Sequence, residues 1–461
     1  MRKLAILGAA SLLAGCANFA PPHVRPALPT ASDYPAAFPG DKQPGQRATD
    51  VRLSQFLVDP RLEALVAQAL VRNRDLAVAV ARIEEARGQY RIQNAERLPT
   101  VGASGDVTRS RAPGLTGPET TNRYSAGVAV SGFELDFWGR VRNLSEAARG
   151  EYLATIQAQR AFRLSLVRDV ASAYFASREA DERIALADAT VRSRREAVRI
   201  GKRRLDAGVT SALDYRQAES LLTQAETEAS GLRLAKAQSD NFIALLVGGP
   251  VAAQLPQPLT LAQQAAVPAL AAGLPSDLLV ARPDVLAAEE RLRAARANIG
   301  AARAAFFPSI SLTGAAGFAS TALGSLFGSD GLTWSFGPSI SLPIFDGGRN
   351  RGNLTVAQAR ENIAVATYEV TVQGAFREVS DALAGRQYYA EQVASGRRGL
   401  TAARQIARIA RLRYREGVAS YLEVLDAERN LFAAEQQLIQ LQRAQADNLV
   451  ALYIALGGGA T

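Results

Sequence analysis

Across 461 residues there is one cysteine, Cys16, and one histidine, His23. A single cysteine rules out an internal disulfide. With the one histidine in a proline-rich N-terminal stretch and no free cysteine beyond Cys16, which closes the N-terminal apolar stretch, a Ser/His triad, a Cys/His dyad or a histidine-based metal site cannot be assembled. Carboxylate pairs are plentiful, but each falls at helical surface spacing. The expectation is a protein that is no enzyme and holds neither metal nor cofactor. Proline is missing over long blocks: of 20 prolines, none lies between Pro60 and Pro99, between Pro118 and Pro250, or after Pro343. Such blocks, rich in Ala, Arg, Glu, Gln and Leu, indicate long helices. No apolar run reaches the ~18 residues of a membrane-crossing helix. Acidic residues are in modest deficit, 44 against 53 Lys and Arg, for a formal net charge of +9. The arginines alternate with Glu and Asp along helical stretches such as AERNLFAAE, from Ala427 to Glu435. That is the pattern of a solvated helix face, and no nucleic-acid partner is expected.

What is present begins at the N-terminus. Arg2 and Lys3 precede a short apolar stretch, Leu4 to Leu13, which runs into Leu13-Ala14-Gly15-Cys16. The segment is too short to span a bilayer. It resembles the lipobox of bacterial lipoproteins, in which the peptide is cut before the cysteine and the cysteine is acylated. The alternative is an ordinary signal peptide with a chance cysteine. On the lipobox reading residues 1–15 are a signal peptide and Cys16 carries a covalent lipid. Loss of Arg2 and Lys3 then lowers the net charge from +9 to +7. Ala17 rather than Asp after the cysteine favours the outer membrane, by analogy with enterobacterial sorting. Residues 16–59, rich in Pro, Ala and Gly, read as an extended lipidated arm. His23 lies in that arm and reads as neither ligand nor base.

The rest of the chain is a tandem duplication with an offset of 209. The stretch YREGVASYLEVLDAE, Tyr414 to Glu428, repeats LDAGVTSALDYRQAE, Leu205 to Glu219. In each, a Gly-Val pair interrupts a long helical pattern once. Glycine supplies the left-handed backbone that ends a helix, so each reads as the tip of a helical hairpin. Asp75 and Asp284, Pro99 and Pro308, Gly139 and Gly348, and Gly208 and Gly417 all stand 209 apart. Repeat 1 is expected over 60–249, with a β-hairpin at 99–137 and a hairpin tip at 208. A proline-rich equatorial linker is expected over 250–281. Repeat 2 is expected over 282–461, with a β-hairpin at 308–345 and a tip at 417. The helix before each tip should run for about 65 residues, or ~100 Å at 1.5 Å per residue. The RAPGLTGPETTN stretch, Arg111 to Asn122, reads as a loop between two strands.

The strand patterns are amphipathic at period two. Ile310, Leu312, Gly314, Ala316 and Phe318 alternate with Ser309, Ser311 and Thr313; Trp334, Phe336, Ile340, Leu342 and Ile344 alternate with Ser335, Gly337, Ser339 and Ser341. Spans of ~10 residues with this alternation suit transmembrane strands, although a soluble sandwich shows the same period. Four strands are too few to close a barrel, and open edges in hydrocarbon cost several kcal/mol per unpaired group. Several chains would therefore have to pool their strands.

With these features together the sequence resembles the outer-membrane factor family, the TolC-like channels, and within it the lipidated NodT-type branch serving RND-type efflux pumps. The resemblance rests on the LAGC lipobox, RPDVLAAEERLRAA from Arg282, FFPSISLTG from Phe306, LPIFDGGR from Leu342, YREGVASYLEVLDAER from Tyr414 and ALGGG from Ala455. It implies a mainly α fold with transmembrane β, a homotrimer whose twelve-stranded β-barrel continues into a long periplasmic α-helical barrel. It also implies a passive exit duct for drugs, metals or other small molecules, partnered by a periplasmic membrane-fusion adaptor and an inner-membrane RND pump. By the same resemblance Gly208, Val209, Gly417 and Val418 would dock the adaptor. Glu423 and Asp426 would form acidic rings at a periplasmic gate, with the bland alternative of two solvated surface acids. Tyr414 and Asp214 match two of three gate-latch positions, whereas the third, an arginine in the family, is Ala419 here. Two rivals remain: the channel of a type I secretion system, and a periplasmic helical-hairpin adaptor or structural lipoprotein.

Overall fold

A computed structural model describes residues 18–31, 34, 46–114, 117–252, 254–271 and 277–459. Cys16, and with it the expected lipidation site, lies outside the described residues. Among them are ten α-helices and six strands. In chain order these are β1 (Gln46–Arg47), α1 (Leu53–Phe56), α2 (Pro60–Arg72), α3 (Arg74–Ala95), β2 (Val101–Gly114), β3 (Gly117–Glu134), α4 (Arg140–Asp206) and α5 (Ala212–Leu246). Then follow α6 (Leu261–Gln264), β4 (Leu270–Ala271), α7 (Leu278–Ala281), α8 (Pro283–Ala304), β5 (Ser309–Ser320), β6 (Leu332–Ser341), α9 (Arg349–Arg415) and α10 (Tyr421–Ala455).

The duplication governs the element lengths. Helices α4 and α9 are 67 residues each, and the returning helices α5 and α10 are 35 each. No helix among the described residues is long and apolar enough to cross a membrane. The chain divides into two compact units that do not follow the repeats. One gathers parts of Met1–Ala27, Ala81–Ile156 and Ala287–Val370; the other gathers Leu28–Val80, Gln157–Leu286 and Thr371–Thr461.

The first unit carries one four-stranded antiparallel sheet in the order β2-β3-β5-β6, so β2 and β6 are its edges. The two repeats meet at the β3–β5 pair. There Gly127 faces Gly317, and a Cβ on Gly317 would lie 2.4 Å from the Ala126 carbonyl oxygen and 2.5 Å from Gly127 Cα. Only paired glycines allow this approach. The β2–β3 hairpin is longer than its sequence suggested, because Arg111 to Asn122, expected as a loop, is mostly ladder. Arg111 pairs with Thr120 and Pro113 with Pro118, and Ser110 Oγ and Thr121 Oγ1 are 3.0 Å apart across the strands. In the other direction β6 stops at Ser341, short of Leu342 and Ile344, because Pro343 has no N–H to give the ladder.

The same unit holds the start of the arm. Phe19 stacks on Phe307, which stacks on Trp138, with centroid separations of 4.8 and 4.9 Å. Arg303 Nη1 donates to the Phe19 carbonyl at 3.0 Å, and His23 and Arg25 both reach Glu289 at 3.0 Å. Thus residues 19–25 of the arm are bound along α8, and His23 serves as a hydrogen-bonding strut. Glu289 is buried, yet Arg25 and His23 together hold its carboxyl below the usual glutamate range.

The second unit shows the duplication as a repeated joint. Asn73 Nδ2 donates to the Leu246 carbonyl at 2.9 Å, and Arg282 Nη1, 209 residues on, donates to the Ala455 carbonyl at 3.3 Å. Beside each, a left-handed glycine closes the returning helix: Gly248 against the Arg72 backbone and Gly457 against that of Ala281. Arg282 also grips Asp284 at 2.6 Å and Glu378 at 2.7 Å, which accounts for the RPD motif in structural terms. Asp59 is a second hub. It is fully buried and accepts from Arg61 N, Tyr174 Oη, Leu259 N and Gln264 Nε2 at 2.6–3.0 Å, so it ties the start of α2, α4 and the linker together.

Candidate functional site

The two hairpin tips lie in the second unit and share one backbone design. Gly208 and Gly417 have φ of +71° and +75°. Val209 N donates to the Arg204 carbonyl at 2.9 Å and Gly208 N to that of Leu205 at 2.9 Å; Val418 and Gly417 repeat this onto Arg413 and Tyr414 at 3.0 and 3.1 Å. This paired pattern satisfies the last carbonyls of each long helix, and it requires a residue tolerant of positive φ. Ser211 and Ser420 then stand at the N-cap positions of the returning helices, where Ser211 Oγ accepts from Asp214 N and Ser420 makes no side-chain capping bond. The consequence is that Val209 and Val418 are pushed outward, 62% and 66% exposed, as a matched pair of apolar knobs.

Behind the tips the side chains differ between the repeats. Asp214 Oδ2 accepts from Thr210 Oγ1 at 2.9 Å, and its backbone N–H donates to Ser211 Oγ at 3.1 Å. The equivalent Glu423 has Ala419 where Asp214 has Thr210, and it pairs with Arg413 at 3.6 Å. Asp426 pairs with Arg429 on its own helix. Tyr414 and Asp214 line one cavity of 270 Å³ but are bonded to different partners: Tyr414 Oη accepts from Arg204 Nη1. The Arg204 guanidinium lies 5.5 Å from the Tyr414 ring centroid, and the Tyr421 ring is 5.2 Å from that of Tyr414. Burial pushes the Tyr421 hydroxyl up to about 12, so it stays a neutral hydrogen-bonding group at any physiological pH.

Further along the hairpins sits a half-buried charged cluster around the buried Glu179, which periodicity does not reveal. Glu179 on α4 accepts from Arg183 at 2.8 Å and from Arg443 of α10 at 2.9 Å; Arg183 also reaches Glu228 of α5 at 2.9 Å. Arg443 lies 3.3 Å from Asp447, whose carboxyl is pushed up to about 6 chiefly by burial. The partners are separated by up to 264 residues in sequence, so only the three-dimensional fold brings them together.

The sheet of the first unit divides its side chains cleanly. The pairing puts Ala103 and Val107 of β2, Ala126, Val128 and Val130 of β3, Ile310 and Leu312 of β5, and Trp334, Phe336 and Ile340 of β6 on one face. The other carries Ser104, Thr108, Ser125, Ser311, Thr313, Ser335 and Ser339. Trp334 is 76% and Ile340 71% exposed, so among the described residues nothing covers the apolar face at β6.

A duplicated, mainly helical chain with long hairpins and a small, uncovered amphipathic sheet defines an outer-membrane channel protomer of the efflux type. The outer membrane efflux protein family matches residues 65–249 and again 274–458, and the chain belongs to that family. It is 42% identical over 457 residues to the solvent efflux pump outer membrane protein SrpC of Pseudomonas putida, covering 97% of this chain and 96% of that one. It is 40% identical over 459 residues to the cation efflux system protein CusC of Escherichia coli O6:H1, covering 99% and 98%. Among solved structures, the open state of the Neisseria gonorrhoeae MtrE outer membrane channel superposes with a TM-score of 0.87 at 37% identity, covering 96% of this chain and 99% of that one. The protein is an outer-membrane efflux channel component and no enzyme.

Proposed function

We propose that three copies pool their strands into a twelve-stranded barrel in the outer membrane. The long hairpins extend it through the periplasm as a helical duct, and an acyl chain on Cys16 adds a second anchor. The observation that carries this reading is the uncovered apolar face on a sheet with two open edges. In hydrocarbon the unpaired edge groups each cost several kcal/mol, and a closed barrel removes them. The small polar residues of the opposite face then line a wet lumen. The duct is passive: the pump supplies energy and selects the substrate. Relatives are named for solvents, cations and antibiotics, and small molecules of these classes are the cargo expected here.

The tips form the periplasmic mouth on this reading. The exposed Val209 and Val418, held out by Gly208 and Gly417, are apolar knobs suited to the apolar tips of an adaptor hairpin. Glu423 and Asp426 in three copies make two acidic rings that favour cations at the mouth. Purified protein in a planar bilayer under a salt gradient should give discrete channels with a cation-selective reversal potential. Glu423→Gln with Asp426→Asn should move that potential toward zero. A lipid bilayer that stays silent at all protein levels would contradict the duct, and an unchanged potential would contradict the acidic rings.

A further inference from the structure

The two tips are copies, so a difference between them in side-chain pairing isolates what each does. Arg204 and Arg413 are equivalent, as their positions differ by 209. Each gives its carbonyl to the valine at its own tip. Each also has an acid at the third residue of the returning helix, Asp214 for Arg204 and Glu423 for Arg413. In repeat 2 the pair forms, Arg413 to Glu423 at 3.6 Å. In repeat 1 it does not, because Thr210 takes the Asp214 carboxylate at 2.9 Å. Ala419, the counterpart of Thr210, has no hydroxyl with which to do the same.

We infer that Arg204, released from its own hairpin by the Thr210–Asp214 bond, is the latch that ties the first hairpin to the second through Tyr414. The tie has two parts on one ring. Arg204 Nη1 donates to Tyr414 Oη, and the guanidinium sits 5.5 Å from the ring centroid. Tyr421 at 5.2 Å backs the ring from the second returning helix. No other fixed charge need be moved: Arg411 is held by Glu428 at 2.9 Å, and the remaining charged wall of the cavity is Arg415. Because the Arg204 carbonyl also receives the Val209 N–H, any distortion of the exposed tip is passed directly to the residue that holds Tyr414. An adaptor that seats on Val209 therefore acts on the latch without touching it. This inference rests on the reading of the tips as a gate and adds the residue that closes it.

The test is bilayer conductance of Arg204→Met, Tyr414→Phe and the double variant. Arg204→Met keeps the apolar stem and removes both contacts, whereas Tyr414→Phe keeps the ring and removes the hydroxyl. Each variant is read only after its detergent-corrected mass matches the wild type. If Arg204→Met does not assemble, Tyr414→Phe decides. The expected result is a rise of roughly five- to tenfold in time-averaged conductance for Arg204→Met and a smaller rise for Tyr414→Phe. The double variant should exceed Arg204→Met by no more than measurement error, since the two act through one contact. Arg195→Met, which breaks only the exposed pair with Glu226, serves as the charge control and should match the wild type. Wild-type conductance in both variants, or fully additive effects, overturns the latch. The acidic-ring reading fails on a different observable, the reversal potential, so the two can be told apart.

Discussion

Asp447 shows how one residue's surroundings set a pH response. Its carboxyl titrates at about 6 instead of near 3.8, because burial penalises the anion by more than Arg443 stabilises it. The folded protein therefore binds this proton more tightly than the unfolded chain does. The associated stability is full below about pH 4 and is lost as the pH rises through about 6. Asp447→Asn should leave stability unchanged near pH 4 and raise it at pH 7 by on the order of 2 kcal/mol. Apparent melting temperatures across that range check this. A variant destabilised at pH 7, or shifted equally at both pH values, would show that the ion pair with Arg443 outweighs the burial. Only Arg443, four residues earlier on the same helix, is legible in the sequence; Glu179 and Ser172 come from α4, far away in the chain. The same holds for Arg204. The resemblance to the family implies a latch at Tyr414 whose arginine is missing at Ala419, but an arginine one hairpin away is invisible to periodicity.

At the scale of elements the sequence was far more informative. An offset of 209 specified paired helices of equal length, and the structure has 67 and 67, then 35 and 35. Alternation identified the faces of the strands, since side-chain direction in a strand depends only on parity. Parity does not identify partners, so the junction of β3 with β5, and its bulge between Val130 and Phe133, came only with the fold. The placement of the arm, expected as extended, escapes periodicity for a related reason. Residues 19–25 have no period of their own and are ordered by Glu289, Arg303 and Phe307. The Gly127–Gly317 contact gives a test of the seam between repeats. A β-branched residue is normally welcome in a strand, yet Gly317→Val would place side-chain atoms inside the β3 backbone. Assembled protein in the outer-membrane fraction should fall about tenfold or more, in line with a strain of 1–3 kcal/mol. Gly337→Val, on the same face with nothing within 4 Å of the added Cβ, should assemble normally. Equal yields of the two would place the β3–β5 seam elsewhere.

For the whole molecule, the uncovered sheet face and its two open edges make a claim about stoichiometry. A single protomer leaves Trp334, Phe336 and Ile340 exposed, with β2 and β6 unpaired on one side. Closure by pooling strands answers both at once. The most direct measurement is the mass of the purified, acylated protein in detergent, by light scattering with the detergent contribution subtracted. A mass near three times the 49.0 kDa chain is expected, lowered slightly in each copy if residues 1–15 are cleaved as proposed. A stable monomer that remains soluble once the lipid is removed would contradict the pooled barrel, and with it the duct.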